Sequence, residues 1–178
     1  MGVAPTLMGG VQGSPAMDTR HATGHWIIKP DALVNMRTER IGPTSLEVRA
    51  PVAGGELTVS AKKVALSLQL SLARLKASNF LMRGAARALV KRYDGDVLIF
   101  SAEGAVVETP WQVSGQAKAG SVDVPMTIEA SPNPVSVPTS LRVGGTVTMN
   151  DIEIPIPGLS GISSVTFDLT GLLDLISR

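Results

Sequence analysis

Between Val64 and Leu75 the chain reads VALSLQLSLARL, and this alternation restricts the available folds more than any other segment does. Val64, Leu66, Leu68, Leu70 and Leu72 fall on one side of an extended backbone, because successive strand side chains face opposite ways. Ala65, Ser67, Gln69, Ser71 and Ala73 fall on the other. A helix would scatter the five aliphatics around its circumference, so the period overrides leucine's helix preference. At about 3.3 Å per residue the run is roughly 30 Å long, which suits a barrel or a strongly coiled sheet.

The other segments agree with a β fold. The stretch Gly24-His25-Trp26-Ile27-Ile28 reads as a short strand halted by Pro30, and residues 32–37 as a second. After the turn signal Gly42-Pro43, Leu46 to Arg49 alternates, and Pro51 and Gly54-Gly55 read as punctuation before Leu57 and Val59. Further extended stretches are expected at 97–100, 105–107, 111–116, 122–129, 140–150 and 165–169, with 172–176 finishing the last strand or turning off it. Val97 to Phe100 is continuously apolar, as in a strand buried on both faces. Spacings near ten residues favour a sandwich or barrel. Proline offers no ladder donor, so Ile154-Pro155-Ile156-Pro157-Gly158 belongs to an edge or a loop, and Pro132-Asn133-Pro134 to a loop.

One segment breaks the pattern. Residues 79–92 carry Ala85, Ala86, Ala88 and Leu89 with Arg83 and Arg87 four apart. A helix is expected there, capped by Ser78 or Asn79 and ended near Asp94-Gly95. Residues 1–23, rich in Gly, Ala, Pro and Thr, are expected to form a flexible N-terminal arm, and residues 24–178 a single β domain.

Composition narrows the function. A chain of 178 residues accommodates one sizeable core. With 16 Lys and Arg against 15 Asp and Glu, there is no electrostatic footprint for nucleic acid. Lys62-Lys63 and the group Arg83, Arg87, Lys91 and Arg92 read as solvated faces. Cysteine is absent, which excludes disulfides, thiol catalysis and cysteine-held metals. The first residues lack the basic opening and apolar run of a secretory signal, and no window reaches the roughly 18 apolar residues of a membrane span. A cytoplasmic location is therefore expected.

Catalysis needs grouped side chains, and few are grouped. His21 and His25 are four apart, but they flank Thr23-Gly24 in the expected arm and strand start and would not share a face. No Gly-x-Ser-x-Gly occurs, and Gly9-Gly10 lacks the rest of a phosphate loop. Asp94 with Asp96, and Asp151 with Glu153, read as turn and loop acids. The expectation is a protein without catalytic residues, metal or cofactor.

Trp26-Ile27-Ile28-Lys29-Pro30 resembles the opening strand of the YceI-like family of bacterial proteins. Asn79-Phe80-Leu81, together with the run from Arg92 through Asp94-Gly95-Asp96 to Phe100-Ser101, is similar to that family's helical excursion and returning strand. Trp111-Gln112-Val113-Ser114-Gly115, followed by Val124-Pro125-Met126, resembles one of its hairpins. Departures occur at Asp31-Ala32-Leu33, Leu46-Glu47-Val48 and Ala117-Lys118-Ala119. The resemblance implies a mainly β fold, an antiparallel lipocalin-like β-barrel with one helical segment, holding an isoprenoid or fatty-acyl chain.

The expected function is thus non-enzymatic binding of an apolar lipid or polyisoprenoid, for storage, transport or sequestration. The candidate ligand-binding residues are Leu66, Leu68, Leu70, Leu72, Phe80, Val97, Ile99, Trp111 and Val113. At about 0.8 kcal/mol per buried methylene, ten methylenes offset most association costs. The alternative is a filled barrel or sandwich acting as a protein-interaction module. Which face of the leucine strand points inward stays open, since Ala65, Ser67, Gln69 and Ser71 would make a roomier polar lumen. Whether two chains pair as a homodimer is open too.

Overall fold

In the structure, a computed structural model, the described residues are 23–38, 45, 47–77, 84, 87, 91, 96–150 and 164–178. Its strands are β1 (Gly24–Ile28), β2 (Leu33–Thr38), β3 (Glu47–Val59), β4 (Lys63–Ser71), β5 (Lys76–Ala77), β6 (Val97–Ala105), β7 (Trp111–Ala119), β8 (Val122–Asn133), β9 (Ser140–Asn150) and β10 (Ser164–Ser177). Successive strands pair antiparallel from β3 through β4, β6, β7, β8 and β9 to β10. Strand β10 then pairs with both β1 and β2, which pair with β3. The circuit is closed.

β1 and β2 fill a single place in that circuit. Gly24 to Ile27 lie opposite Val59 to Glu56, and Leu33 to Arg37 lie opposite Pro51 to Glu47, so the two run end to end along β3. Pro30 and Asp31 interrupt them. Proline presets the first central position of the turn, and Asp31 takes the left-handed conformation at φ 82°. The Asp31 N–H still donates to the Val52 carbonyl at 2.8 Å. Counting β1 and β2 as one, and leaving aside the two-residue β5 that pairs only with β3, gives an eight-stranded antiparallel barrel, mainly β and lipocalin-like, as the sequence led us to expect.

The leucine face is the inner one. Val64, Leu66, Leu68 and Leu70 are buried, whereas Gln69 is exposed and Ala65, Ser67 and Ser71 are half-buried. A lumen lined by the small polar face is therefore overturned. Strand β4 also ends sooner than its alternation, at Ser71, where Leu72 and Ala73 donate their N–H groups to the Asp96 carbonyl.

Strand β3 passes through Pro51 and Gly54-Gly55 rather than stopping there. The Val52 N–H donates to Ala32 on the β2 side, so the nitrogen of Pro51 faces the opposite side. There β4 pairs from Val52 onward and β5 pairs with Val48 and Arg49, so no ladder partner is left unserved. A bulge between Val52 and Gly54 resets the parity, so Ala50 and Val52 precede it and Leu57 and Val59 follow it on the same inner face. Pro132 is likewise inside β8, past the last β7 partner at Ala130. β6 runs on to Ala105, where a separate strand over 105–107 was expected.

Close strand approach leaves no room for a Cβ at Gly55, Gly104 and Gly115, with the tightest fit at Gly115. A Cβ on Gly115 would stand 1.8 Å from the Ser101 carbonyl oxygen, whereas one on Gly54 would meet nothing within 4 Å. Gly115→Ala is expected to cost at least about 1–3 kcal/mol, as backbone overpacking does. Gly54→Ala should stay within about 0.5 kcal/mol. Urea midpoints of the two variants check this.

The expected helix over 79–92 lies mostly outside the described residues, although Gly84, Arg87 and Lys91 are helical and exposed. The N-terminal arm, apart from Thr23, and the loop Ile154 to Gly158 are outside them as well.

Candidate functional site

The barrel interior is the candidate site, and its two ends differ. At one end, the base, lie the start of β1, the turns 60–62, 106–110 and 134–139, and the C-terminus of β10. Trp26, Val59, Val64, Trp111, Leu141 and Leu173 fill this end, all buried. The two tryptophans contribute most of its volume, since each buries on the order of 200 Å². At the other end, the mouth, lie the ends of β2, β4, β7 and β9, whose connections include the undescribed stretches.

Burial is incomplete over part of the mouth, although Val165 and Thr38 at that end are buried. The inward side chains nearest the mouth include Met36, Leu72, Leu98, Val124 and Phe167, which pack on the core yet remain only partly buried. Among the described inward-facing side chains there is no charge, and the one buried polar side chain is Thr38 at the rim. No buried side-chain nitrogen or oxygen lacks a hydrogen-bond partner among the described residues. Such a wall offers an approaching molecule dispersion contact and release of water, and no group to do acid–base work.

The sequence candidates divide on this geometry. Leu66, Leu68 and Leu70, with Trp111 and Val113, all point inward and are buried together in one cluster, and Leu72 packs against it, half-buried. At 2%, 2% and 1% exposure, Leu66, Leu68 and Leu70 have no water-sized space against them. Room for a chain beside these three is therefore closed, and the less tightly covered surface lies nearer the mouth. Phe80 is outside the described residues.

Val97 and Ile99 are a correction. They are 41% and 43% exposed on the outer face, and strand β6 turns Leu98, Phe100 and Ala102 inward instead. The expectation of a strand buried on both faces fails with them. Leu98 and Phe100 were missed, along with Met36, Val124 and Phe167. The signal for the first two was present: extending the run to Ala102 and Gly104 fixes the parity, because only small residues continue that face.

Polar groups sit on the outside. His25 shares a short 2.5 Å contact with Glu56, which Arg178 also approaches at 3.9 Å, so this histidine bridges strands rather than standing free. Lys63–Glu103 and Lys118–Asp123 are exposed cross-strand pairs. Each contributes at most about 1 kcal/mol. Among the described residues no group of three or more His, Asp or Glu could hold a metal ion. His21, Asp94, Asp151 and Glu153 are outside them, and Asp96 is exposed. An outer groove of about 440 Å3 crosses β8, β9, β10 and β2, edged by Glu129, Arg142, Leu172 and Leu33.

Closure, strand number and up-and-down order define a lipocalin-like antiparallel barrel. Among solved structures, the chain is similar to a polyisoprenoid-binding domain from Saccharophagus degradans implicated in plant cell wall breakdown. The TM-score is 0.51 and the identity 11%, over 88% of this chain and 100% of that one, a likeness of fold. No protein-family profile matches the chain, and no curated protein does.

Proposed function

We propose that this protein binds an apolar chain, a polyisoprenoid or fatty-acyl lipid, in the mouth half of its barrel, and performs no chemistry on it. The reading places the chain in the YceI-like family, and takes the protein to be a cytoplasmic carrier or store. The single observation that carries it is a set of partly covered apolar side chains in the mouth half of an interior wall that carries no charge among the described residues. The base is sealed around Trp26 and Trp111, while Met36, Leu72, Leu98, Val124 and Phe167 stay partly uncovered. A chain entering there trades water for methylene contacts at about 0.8 kcal/mol per methylene. The fold shared with a polyisoprenoid-binding domain supports it further.

Native mass spectrometry of the purified full-length chain tests this. The expected result is a bound mass that organic extraction removes and that a long-chain polyprenol or fatty acid restores. A clean protein that takes up no member of such a panel overturns it.

The full burial of Leu66, Leu68 and Leu70 favours a second reading, a filled barrel whose surface binds another protein. That reading requires the extracted protein to refuse every lipid, and it requires a stoichiometric protein partner indifferent to substitutions inside the mouth.

A further inference from the structure

Among the described residues, four of the nine exposed large hydrophobic side chains lie on one seam of the outer wall, where β10 meets β1 and β2. Ile176 is opposite Ile27 in register, at 49% and 37% exposure. Leu172 is one step beyond the Gly171–Val34 pair, level with Leu33, at 51% and 36%. Scattered exposed aliphatics are ordinary, but two cross-strand pairs aligned on one seam form a stripe. Between them, the backbone N–H of Lys29 donates to the Asp174 carbonyl at 2.9 Å. The two side chains there are exposed, opposite in charge, and in no ion pair among the described residues.

We propose that this seam is the contact between two copies of the chain, related by a two-fold axis running along it. Such an axis keeps height along the seam and exchanges its two sides. Ile27 then meets the second copy's Ile176, Leu33 meets its Leu172, and Lys29 meets its Asp174. The surface is self-complementary in both apolarity and charge, which is what an isologous contact needs. The four residues from Leu172 to Ile176 span about 13 Å, short for a standard interface of roughly 800 Å² per partner. Association is therefore concentration-dependent, in the micromolar range. The inference is independent of what the barrel binds.

Sedimentation velocity on the full chain reads the mass. The wild type is expected to double in mass across the micromolar range. Lys29→Glu and Asp174→Lys place like charges in contact and should each remain single chains, with circular dichroism unchanged. Mixing the two variants leaves one Lys29–Asp174 contact as in the wild type and makes the other with its charges exchanged, so both are attractive and a heterodimer should form where neither variant pairs alone. Leu172→Glu should abolish pairing in every combination. A wild type that stays a single chain throughout, or a dimer untouched by these substitutions, overturns the proposal.

Discussion

Trp111→Ala is expected to be the most damaging single substitution in the protein, at about 3–5 kcal/mol. Trp111 is 2% exposed and is the largest fully buried side chain described. It opens β7 at the base of the barrel, paired in register with Ala130 on β8. Alanine at the partner position leaves room for the indole and nothing large enough to replace it. The barrel is also poor in aromatic residues, with 2 Trp, 3 Phe and 1 Tyr in the whole chain. Collapse around the deletion is limited because the neighbouring backbone is locked into a closed hydrogen-bonded circuit. At roughly 2–4 °C per kcal/mol for a domain of this size, the melting temperature should fall by about 6–20 °C. Guanidinium denaturation should show a lower midpoint with an unchanged slope, since the same surface is exposed on unfolding. Ala130→Gly, which removes little volume, should move the midpoint far less.

The part of the fold that could be read from the residues was the part governed by a simple period. Alternation from Val64 to Leu72 announced a one-sided strand, and the structure puts those aliphatics on the core side. The same rule faltered where every residue was apolar: Val97-Leu98-Ile99-Phe100 has no internal parity, and Val97 and Ile99 were assigned to the ligand. The parity shows only when the run is extended through Ser101 and Glu103, which continue the Val97–Ile99 face, and the pairing of Ile99 with Gln69 and Lys118 places that face outside. Pro51 and Gly54-Gly55 looked like strand breakers, because a sequence does not reveal which side of a strand lacks a neighbour. In the barrel, Pro51 faces the gap between β4 and β5, and the bulge beside Gly54 bends the strand around the circuit. The end-to-end union of β1 and β2 was equally hidden. Pro30-Asp31 signalled a turn, and nothing local said that the chain would resume the same line. Partial burial inside the barrel is a tertiary property, formed by strands far apart in the chain, so Met36, Val124 and Phe167 carried no sequence signal as candidates.

Leu98→Trp is expected to weaken lipid binding about a hundredfold, while Ile99→Trp, its immediate neighbour, leaves it unchanged. Leu98 faces the interior opposite Leu70 on β4, and it is only partly buried. An indole there occupies space equal to about four methylenes of a bound chain, or roughly 3 kcal/mol at 0.8 kcal/mol each. At 1.4 kcal/mol per factor of ten, that is close to two decades in affinity. Since the position is near the mouth, the larger ring leans toward solvent, and the stability cost stays below about 1.5 kcal/mol. Ile99 faces out between Gln69 and Lys118, so its indole lies on the outer wall and touches neither chain nor core. Titration of the extracted variants with a fluorescent long-chain fatty acid measures the contrast. Parity is the decisive variable: the two residues share a strand, an apolar character and a distance from the mouth, and differ in which face they occupy. Equal effects from both would detach binding from the interior of the barrel, and loss at Ile99 alone would move it to the outer wall.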